Sequence, residues 1–239
     1  MIKITPSVII KSRRGDFLVI LTPRLEAVAS FVKEGSVIAD VGTDHGYIPA
    51  YLINKGIIKK AIAADINVGP LENAKKTMKN EGIDSVEFVL SDGLKNLGGS
   101  QFDEIIIAGM GGEMIASILD NSSWCKDKKY SFILQPMTKE DYLRRYLYEN
   151  GFEIIKETLA AEKDKLYNIM KAVFVGEKRK ITDSFALLGK TSADELFEEK
   201  KSREILRLTK IHKSLKNKEN SSDEREKIKK LIEEIEDYR

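Results

Sequence analysis

The stretch Val37-Ile-Ala-Asp-Val-Gly-Thr-Asp-His-Gly46 decides the fold of this chain. Its apolar residues are typical of a buried β-strand that ends in Asp40, Gly42 permits a tight turn, and Gly46 begins a helix. A loop of this kind brings backbone N–H groups close to a ligand at the positive end of a helix. The stretch therefore predicts a strand, a ligand-binding turn and a helix in direct succession.

The same alternation of strand and helix continues to residue 150. Apolar runs typical of buried strands occur at 37–41, 61–64, 86–90, 105–108 and 132–134. Helical patterns separate them, at 46–55, 70–81, 112–120 and 138–150. Buried parallel strands joined by right-handed crossovers form a doubly wound sheet, and ligands bind at the carboxyl ends of its strands. We therefore predict an α/β fold with its cleft at that edge.

Residues 1–20 are predicted to form an N-terminal extension. Its two short apolar pieces, at 8–10 and 17–21, are separated by charged residues, so neither is a secretory signal. The extension is either a β-hairpin around Arg14-Gly15-Asp16 or a poorly ordered segment, and we prefer the second alternative. Thr22 and Pro23 then predict the start of a helix, because Thr is a common cap and Pro is favoured at the first helical position.

The pattern changes after Gly151. Two strands at 152–155 and 167–175, joined by a turn near 162–165, predict an antiparallel hairpin at the end of the sheet. Beyond Gly176, apolar residues at helical spacing lie among dense Lys, Arg and Glu, which predicts two helices in a coiled-coil-like hairpin. The apolar seam consists of Ile205, Leu208, His212 and Leu215 in the first helix and Ile228, Leu231, Ile235 and Tyr238 in the second. We assign 21–176 to the sheet domain and 177–239 to a helical appendage.

Composition excludes several classes of protein. The chain has 239 residues, of which 42% are hydrophobic and 33% are charged, so collagen-like and wholly disordered chains are excluded. The single Cys125 and the two histidines rule out a disulfide framework, a Cys-cluster zinc site and a His-rich metal centre, and we predict no metal. No stretch approaches about 20 apolar residues, so we predict no membrane span. We expect a cytoplasmic monomer.

Asp44 stands where the dinucleotide fingerprint G-x-G-x-x-G requires its middle glycine. A carboxylate there would repel a pyrophosphate, which disfavours an NAD-dependent oxidoreductase. It suits a cofactor that lacks phosphates and carries cationic groups, and S-adenosylmethionine, with its sulfonium and ammonium, is such a molecule. The alternative is an ordinary strand-to-helix turn that needs glycine for its geometry alone.

Two more acidic residues follow the next strands. Asp65 comes directly after the second apolar strand, where an acid can accept hydrogen bonds from both ribose hydroxyls. Asp92 and Gly93 follow the third strand, where a carboxylate can reach an adenine amino group. Each acid alone has an ordinary alternative as a turn residue. Because three successive strands each end in a carboxylate at one edge of the sheet, we predict a nucleoside-type cofactor.

A glycine cluster follows the fourth strand. Gly109, Gly111 and Gly112 would let a flat ring or a methyl group approach the backbone closely, and Met110 adds a soft apolar surface. The alternative is a flexible turn between strand and helix.

Several motifs together resemble one known family. They are LTPRLEAVASFV (21–32), ADVGTDHGYIP (39–49), NVGPLENAK (67–75), SDGL (91–94), IIIAGMGGEMI (105–115), ILQPMTKEDYLRRYL (133–147) and KLYNI (165–169). This set resembles the bacterial tRNA (adenine-22-N1)-methyltransferase family, TrmK, from about Leu21 to Val175. The resemblance implies a class I, Rossmann-like methyltransferase fold, S-adenosylmethionine as cofactor and methylation of adenine N1 in the D-arm region of tRNA.

The resemblance also implies a set of site residues. Those predicted to bind the cofactor are Asp40, Gly42, Thr43, Asp44, His45, Gly46, Asp65, Ile66, Asp92, Gly93, Ala108, Gly109, Met110 and Gly111. Gly112 and Gln135 are predicted to face the substrate. For Gln135, which ends the fifth strand, a strand-end hydrogen bond is an equal alternative.

Methyl transfer to adenine N1 requires no strong base, because N1 carries a free lone pair at neutral pH. The product is cationic, and a carboxylate or an aromatic face stabilises such a charge. Our catalytic candidates are Asp44 and Tyr47, with His45 orienting one of them. The alternatives are a loop residue for His45 and a core ring for Tyr47.

The charge of the appendage is sorted along its length. Residues 207–230, which we call the basic tip, contain nine basic and four acidic residues, a net charge of +5 in a chain whose net charge is +2. The predicted tRNA contacts are Lys210, Lys213, Lys216, Lys218, Arg225 and Lys227. A local patch of this sign can bind phosphates without attracting RNA to the whole surface. The alternative is a solvated helical pair stabilised by i,i+4 pairs.

Two other functions remain open from the residues alone. The first is a methyltransferase that acts on another RNA base or on a small molecule, since the fold does not distinguish substrates. The second is a non-catalytic module that binds S-adenosylmethionine or another adenosine ligand and uses the helical hairpin to pair with a protein.

Overall fold

The computed structural model describes residues 8–13, 16–98, 102–191, 194–215 and 222–238. The chain begins with an antiparallel hairpin of β1 (Val8–Arg13) and β2 (Asp16–Leu21). For residues 8–13 and 16–20 the hairpin alternative is thus confirmed, and our preference for a poorly ordered segment is wrong. The physical reason is that Val19 and Leu21, two residues apart on one face of β2, are buried in the core. Residues Arg14 and Gly15 lie outside the described ranges.

A mixed sheet of seven strands forms the centre of the molecule, in the order β5-β4-β3-β6-β7-β9-β8. Its strands are β3 (Ile38–Val41), β4 (Ala61–Asp65), β5 (Val86–Leu90), β6 (Glu104–Gly111), β7 (Ser131–Thr138), β8 (Phe152–Glu162) and β9 (Lys165–Phe174). The pairs among β3 to β7 are parallel, while β9 pairs antiparallel with both β7 and β8. The predicted parallel sheet closed by an antiparallel hairpin is confirmed.

Helices cover both faces of this sheet. They are α1 (Pro23–Ala29), α2 (Tyr47–Asn54), α3 (Val68–Asn80), α4 (Gly112–Asp120) and α5 (Glu140–Glu149). Successive residues of β6 enter different cores, because Ile105 and Ile107 belong to one apolar cluster and Ile106 belongs to the other. Thr22 caps α1 as predicted, since its hydroxyl accepts a hydrogen bond from the N–H of Leu25.

The C-terminal region contains α6 (Asp183–Leu188), α7 (Glu195–Ser214) and α8 (Ser222–Glu236). The two long helices are those that the sequence predicts, whereas α6 was not predicted. Leu208 of α7 and Ile235 of α8 are buried in one cluster with Leu159, which belongs to β8. The appendage therefore shares its core with the sheet, and its coiled-coil character stays a prediction. None of the helices in the described ranges combines the length and the apolar character needed to cross a membrane.

A buried polar network joins the appendage to the sheet. The guanidinium of Arg144 on α5 is fully buried and donates from Nε to Glu157 Oε1 on β8 (3.0 Å). It also donates to Asn168 Oδ1 on β9 (2.8 Å) and to the carbonyl of Ala186 on α6. Lys200 Nζ of α7 donates to the same Asn168 oxygen (2.8 Å). Five elements thus meet at one hydrogen-bonded centre.

The segment after α6 is shaped to fit this network. Gly189 has φ +77°, and a Cβ there would lie 2.4 Å from Glu157 Oε2, so a larger residue would displace the carboxylate. The same oxygen accepts from the backbone N–H of Lys190 (2.7 Å). Burial, followed by the nearby charge of Arg144, lowers the pKa of Lys200 to about 7. The network therefore holds a second basic group, Lys200, close to Arg144 at the base of the helical hairpin, and both effects disfavour its charged form.

The direction of α7 follows from a second contact. Lys200 lies beside Asn168 in the middle of β9, and Arg203 Nη1 donates to the carbonyl of Asp164 in the β8–β9 turn (2.9 Å). Because β9 is antiparallel to β7, this turn lies at the edge where the parallel strands end. Residues 204–214 continue past the turn for about 16 Å, at 1.5 Å per residue. The part of the basic tip that lies on α7 therefore extends on the same side of the sheet as the strand ends.

The substitution Arg144→Met is expected to lower the free energy of unfolding by about 3–5 kcal/mol, because it leaves the buried Glu157 carboxylate without its counter-charge. Urea denaturation measures this loss. Arg145→Met on the same helix is the matched control, since Arg145 pairs with Asp183 on the surface and should cost less than about 1 kcal/mol. Equal losses in the two variants would contradict the assigned importance of the buried network.

Candidate functional site

A cleft of about 400 Å³ lies where the parallel strands β3 to β6 end. Its walls are formed by Val41, Gly42, Asp65, Ile66, Ser91, Asp92, Gly93, Met110, Gly111, Met114 and Ile118. The ends of four strands and the first turns of α4 contribute to it. The position confirms the sequence-based expectation that the cleft lies at the carboxyl ends of the strands.

The turn after β3 depends on glycine at two positions. Gly42 has φ +76°, and a Cβ there would lie 2.3 Å from Met110 Cε, so the methionine packs directly on the backbone. Gly46 has φ +67°, and a Cβ there would lie 2.8 Å from Met78 Cε of α3. The N–H of Gly42 donates to the carbonyl of Ala64 (2.8 Å), which ties the turn to the end of β4.

Asp40 lies beneath this turn and is buried. Its Oδ2 accepts a hydrogen bond from Thr43 Oγ1 (2.7 Å). Burial raises the pKa of Asp40 to about 6, while the Thr43 hydrogen bond opposes the shift and the Asp65 carboxylate adds to it. Neither Asp40 nor Thr43 forms part of the cleft wall described above. Asp40 therefore supports the turn from below, and its carboxyl group changes charge within an accessible pH range.

Asp65 and Asp92 both line the cleft, but in different environments. Asp65 is buried, and its Oδ1 accepts from the N–H of Asn67 (2.8 Å), so its carboxylate is held in one orientation. Asp92 is more than half exposed and pairs with Lys95. Ser91, whose N–H donates to the carbonyl of Asp65 (2.9 Å), is buried, and its hydroxyl donates to the carbonyl of Gly93 (2.8 Å), which shapes the turn after β5. The two carboxylates that the sequence predicts at neighbouring strand ends thus share one cavity.

The segment after the apolar part of β6 forms the opposite wall. Met110 and Gly111 line the cleft, and Gly109 has φ +81°. The pairing of β6 with β7 is irregular on both sides of Met110. A Cβ on Gly112 would lie 2.2 Å from the carbonyl of Lys139, so the glycine allows the start of α4 to pack on the β7–α5 connection. Gly112, which the sequence predicts to face the substrate, therefore packs against the backbone of Thr138 and Lys139 and does not line the cleft.

The predicted catalytic trio lies beside the cleft. Asp44 has φ +44° and a side chain that is 71% exposed, and its Oδ2 lies 3.6 Å from His45 Nε2. The rings of His45 and Tyr47 are stacked, with centroids 4.9 Å apart and planes 7° apart. Burial raises the pKa of the Tyr47 hydroxyl, and the charge of Asp44 adds to this shift. His45 thus contacts both partners, and the catalytic role of the trio stays a prediction.

Gln135 is fully buried within β7, three residues before the strand ends at Thr138. Its Oε1 accepts from Arg24 Nη1 (2.6 Å) and from the N–H of Gly109 (3.1 Å), and its Nε2 donates to the carbonyl of Pro136 (2.7 Å). These contacts correspond to the strand-end alternative. Contact with a substrate base would require Gln135 to leave them.

The basic tip presents exposed cations on both long helices. Lys210 and Lys213 of α7 and Lys227 of α8 are exposed, whereas Arg225 is half-buried. Within the described ranges, no carboxylate lies within 4.0 Å of the amino groups of these three lysines. The predicted contacts Lys216 and Lys218 lie outside the described residues.

Some residues of the site were missed by sequence reasoning. Met114 and Ile118 lie four residues apart on α4, and this helical spacing is a signal that could have placed them on one face. Ser91 directly precedes the predicted Asp92. For Arg24 there was no local signal, because 111 residues separate it from its partner Gln135.

The acceptor and apolar groups of the cleft fit an adenosyl cofactor. Asp65 offers a fixed carboxylate for ribose hydroxyls, and Asp92 offers one for a base amino group. Ile66, Met114 and Ile118 supply apolar surface, and the first two are more than half exposed in the free protein. In the part of the chain that the structure describes, no cluster of three or more His, Cys, Asp or Glu side chains is arranged to hold a metal ion.

Comparison with known proteins agrees with this site. A family model described as a methyltransferase domain matches residues 21–170. The tRNA (adenine(22)-N(1))-methyltransferase of Bacillus subtilis is 31% identical over 228 residues, which cover 90% of this chain and 94% of the relative.

Two solved structures are similar in fold over nearly the whole chain. M. capricolum TrmK, solved with S-adenosyl-homocysteine, has a TM-score of 0.76 and 27% identity, covering 91% of this chain and 97% of that one. A Streptococcus pneumoniae protein solved with S-adenosyl-L-methionine has a TM-score of 0.77 and 32% identity, covering 91% and 99%. From the matched family model and the extent of these similarities, we conclude that the chain belongs to the tRNA (adenine(22)-N(1))-methyltransferase family.

Proposed function

We propose that this chain is an S-adenosylmethionine-dependent tRNA methyltransferase that methylates N1 of adenine 22. The observation that carries the proposal is the convergence of Asp65, Asp92, Met110 and Gly111 on one cleft. The similarity to a Bacillus subtilis enzyme named for this reaction supports the nucleotide position. A methyltransferase for another base or a small molecule, and a non-catalytic binding module, are the outcomes that the first experiment below would distinguish.

We propose that the cofactor lies across the ends of β3, β4 and β5. Asp65 would accept the ribose hydroxyls, Asp92 and Gly93 would face the adenine, and Ile66 would cover its ring. The cationic methionine end would lie over the glycine turn, near Asp40 and Asp44. The two positively charged groups of the cofactor, its sulfonium and its ammonium, would then lie near carboxylates, which matches the exclusion of a pyrophosphate at this turn.

In this reaction the protein mainly has to position the two reactants and to stabilise the charge that develops on the adenine. Bound S-adenosylmethionine supplies an electrophilic methyl group on a sulfonium, and the lone pair of adenine N1 forms the new bond as the sulfur takes the electrons of the old one. No proton has to leave N1, so no general base is needed. The positive charge that develops on the adenine would be stabilised by Asp44 and by the Tyr47 ring, both held by His45.

The basic tip is proposed to hold the tRNA backbone. Its exposed lysines extend past the β8–β9 turn on the side of the cleft, so a folded RNA can touch both at once. Phosphate contacts of this kind give affinity without reading sequence. The target adenine must leave its stack to reach the cleft, as in other enzymes that modify a base.

The proposal includes a location and an assembly state. One chain contains both the cleft and the basic tip, which supports a monomer as the acting unit. The lone Cys125 is buried, and burial raises the pKa of its thiol to about 12, so it is a poor nucleophile. A chain with one such thiol suits the reducing cytoplasm, where tRNA is modified.

The reaction is tested by incubating the protein with a tRNA transcript and methyl-labelled S-adenosylmethionine, followed by mass spectrometry of the nucleosides. We expect one labelled N1-methyladenosine per tRNA. A matched transcript with guanine at position 22 should gain none. Label in another nucleoside would favour the alternative methyltransferase, and cofactor binding without any product would favour the non-catalytic module.

Cofactor affinity is expected to fall below pH 6, by about tenfold per pH unit, because protonation of Asp40 removes a negative charge next to the cationic methionine end. The sign follows from the raised pKa: the carboxylate is charged above pH 6 and neutral below it. Calorimetry from pH 5 to pH 8 measures the effect. Asp40→Asn should bind weakly at every pH, whereas the remote Asp84→Asn should retain the wild-type profile. Persistence of the fall in Asp40→Asn would disprove the assignment.

Charge reversal of Lys210, Lys213 and Lys227 to Glu is expected to raise the KM for tRNA at least tenfold. A plot of the logarithm of the binding constant against the logarithm of the salt concentration should become shallower by about three in slope. Cofactor affinity should not change. The matched control reverses Lys59, Lys60 and Lys128, three exposed lysines in connections that precede the parallel strands, at the opposite edge of the sheet. If both triple variants lose the same affinity, the effect comes from net charge and the tip has no special role.

A further inference from the structure

We propose that Arg24 is a positioning residue for methyl transfer, which acts through Gln135 on the backbone of Gly109. This inference rests on the proposed function, because it concerns the wall of the same cleft. Arg24 lies in the first turn of α1, and its side chain is only 14% exposed. Arg24 is not among the residues that line the cofactor cleft.

The carboxamide of Gln135 connects the two residues. Its Oε1 accepts from Arg24 Nη1 (2.6 Å) and from the N–H of Gly109 (3.1 Å). Because both partners can only donate, the oxygen must occupy this position, and the amide has a single orientation. The bond from a charged guanidinium is stronger than one between neutral groups. Arg24 thus determines the orientation of the acceptor that holds Gly109.

The backbone at Gly109 departs from regular strand geometry and depends on the hydrogen bond to Gln135. The β6–β7 pairing shifts register between Ala108 and Met110 and again between Met110 and Gly111. Gly109 has φ +81°, outside the strand region, so its N–H is directed to a side chain. Met110 and Gly111, which follow directly, line the cleft. Rotation of the Gly109 peptide would therefore move the wall that faces the reacting groups.

Arg24 is itself held by the tip of the β8–β9 hairpin. Its Nε lies 3.8 Å from Glu162 Oε2, and its Cζ lies 5.6 Å from the centre of the Tyr167 ring. Glu162 Oε2 is buried and has no hydrogen-bond partner among the described residues, so the guanidinium is its compensating charge. A planar fork with five donors can serve the carboxylate, the amide and the ring together, whereas a lysine cannot.

The contacts predict how the variants will behave. Asp65 and Asp92, the proposed partners of the ribose and the adenine, do not touch Arg24 or Gln135. Met110 and Gly111 form only one wall of the cleft, so loss of Arg24 should change cofactor affinity far less than kcat. The basic tip is also separate from it, so the KM for tRNA should change little. The rate of the chemical step, measured as kcat, should fall, because a displacement of about 1 Å at a reacting centre lowers the rate about 100-fold. A loss in kcat alone distinguishes positioning from general destabilisation.

The test measures kcat, the KM for tRNA and the dissociation constant of S-adenosylmethionine for Arg24→Ala and Gln135→Leu. We expect kcat to fall about 100-fold in each, with the two other constants within about twofold of wild type. The double variant should be no slower than either single one, because both remove the same connection. Guanidinium at low millimolar concentration should restore part of the activity of Arg24→Ala and none of Gln135→Leu. Arg145→Ala, on the surface of α5, is the control.

Three results would overturn the inference: wild-type kcat in Arg24→Ala, a parallel loss of cofactor affinity, or losses that multiply in the double variant. If Arg24→Ala does not fold, Arg24→Lys carries the same test, with a smaller fall in kcat and unchanged cofactor affinity. The wild-type protein is assayed in the same series. Absence of product from the wild type would reject the proposed function, whereas product from the wild type and from Arg24→Ala at equal rates would reject only the role of Arg24.

Discussion

The buried guanidinium of Arg144 is the interaction on which the arrangement of sheet and helical hairpin depends. A charge removed from water is tolerated only where all of its donors find acceptors, and here Glu157, Asn168 and a carbonyl of α6 supply them. Lys200 of α7 donates to the same Asn168 oxygen, so the N-terminal part of the long helix is anchored at this centre. Since hydrogen bonds are directional, they set the angle of the hairpin more narrowly than apolar contact does.

The β8–β9 hairpin connects this network to the edge of the sheet where the cleft lies. Its turn rises where the parallel strands end, and it contacts α7 through Arg203 on one side and α1 through Arg24 on the other. The cleft, the arginine that supports its wall and the basic tip therefore all lie on one side of the sheet. In the proposed complex, a tRNA bound by its phosphates at the tip would have one of its bases within reach of the cleft.

Most elements of the fold could be predicted because they are encoded locally. Apolar runs and helical spacing located every parallel strand and the helices between them, although β6 and β7 continue to Gly111 and Thr138, beyond their apolar parts. The strand β8 is also longer than predicted, because its outer half (156–162) follows no simple strand pattern and is defined by its pairing with β9. Helix α6 has six residues, too few for a periodic signal. The N-terminal hairpin depends on burial of Val19 and Leu21, which composition alone does not reveal.

The sequence by itself determined the order of strands and helices, the carboxylates at three strand ends and the charge of the basic tip, because each of these is a property of neighbouring residues. Only the tertiary structure decided which of those groups face the cleft. It buried Asp40 beneath the turn and raised its pKa, and it joined Gln135 to Arg24 and Gly109. Burial and hydrogen bonding of this kind arise from contacts between residues far apart in the chain, and no local pattern contains them.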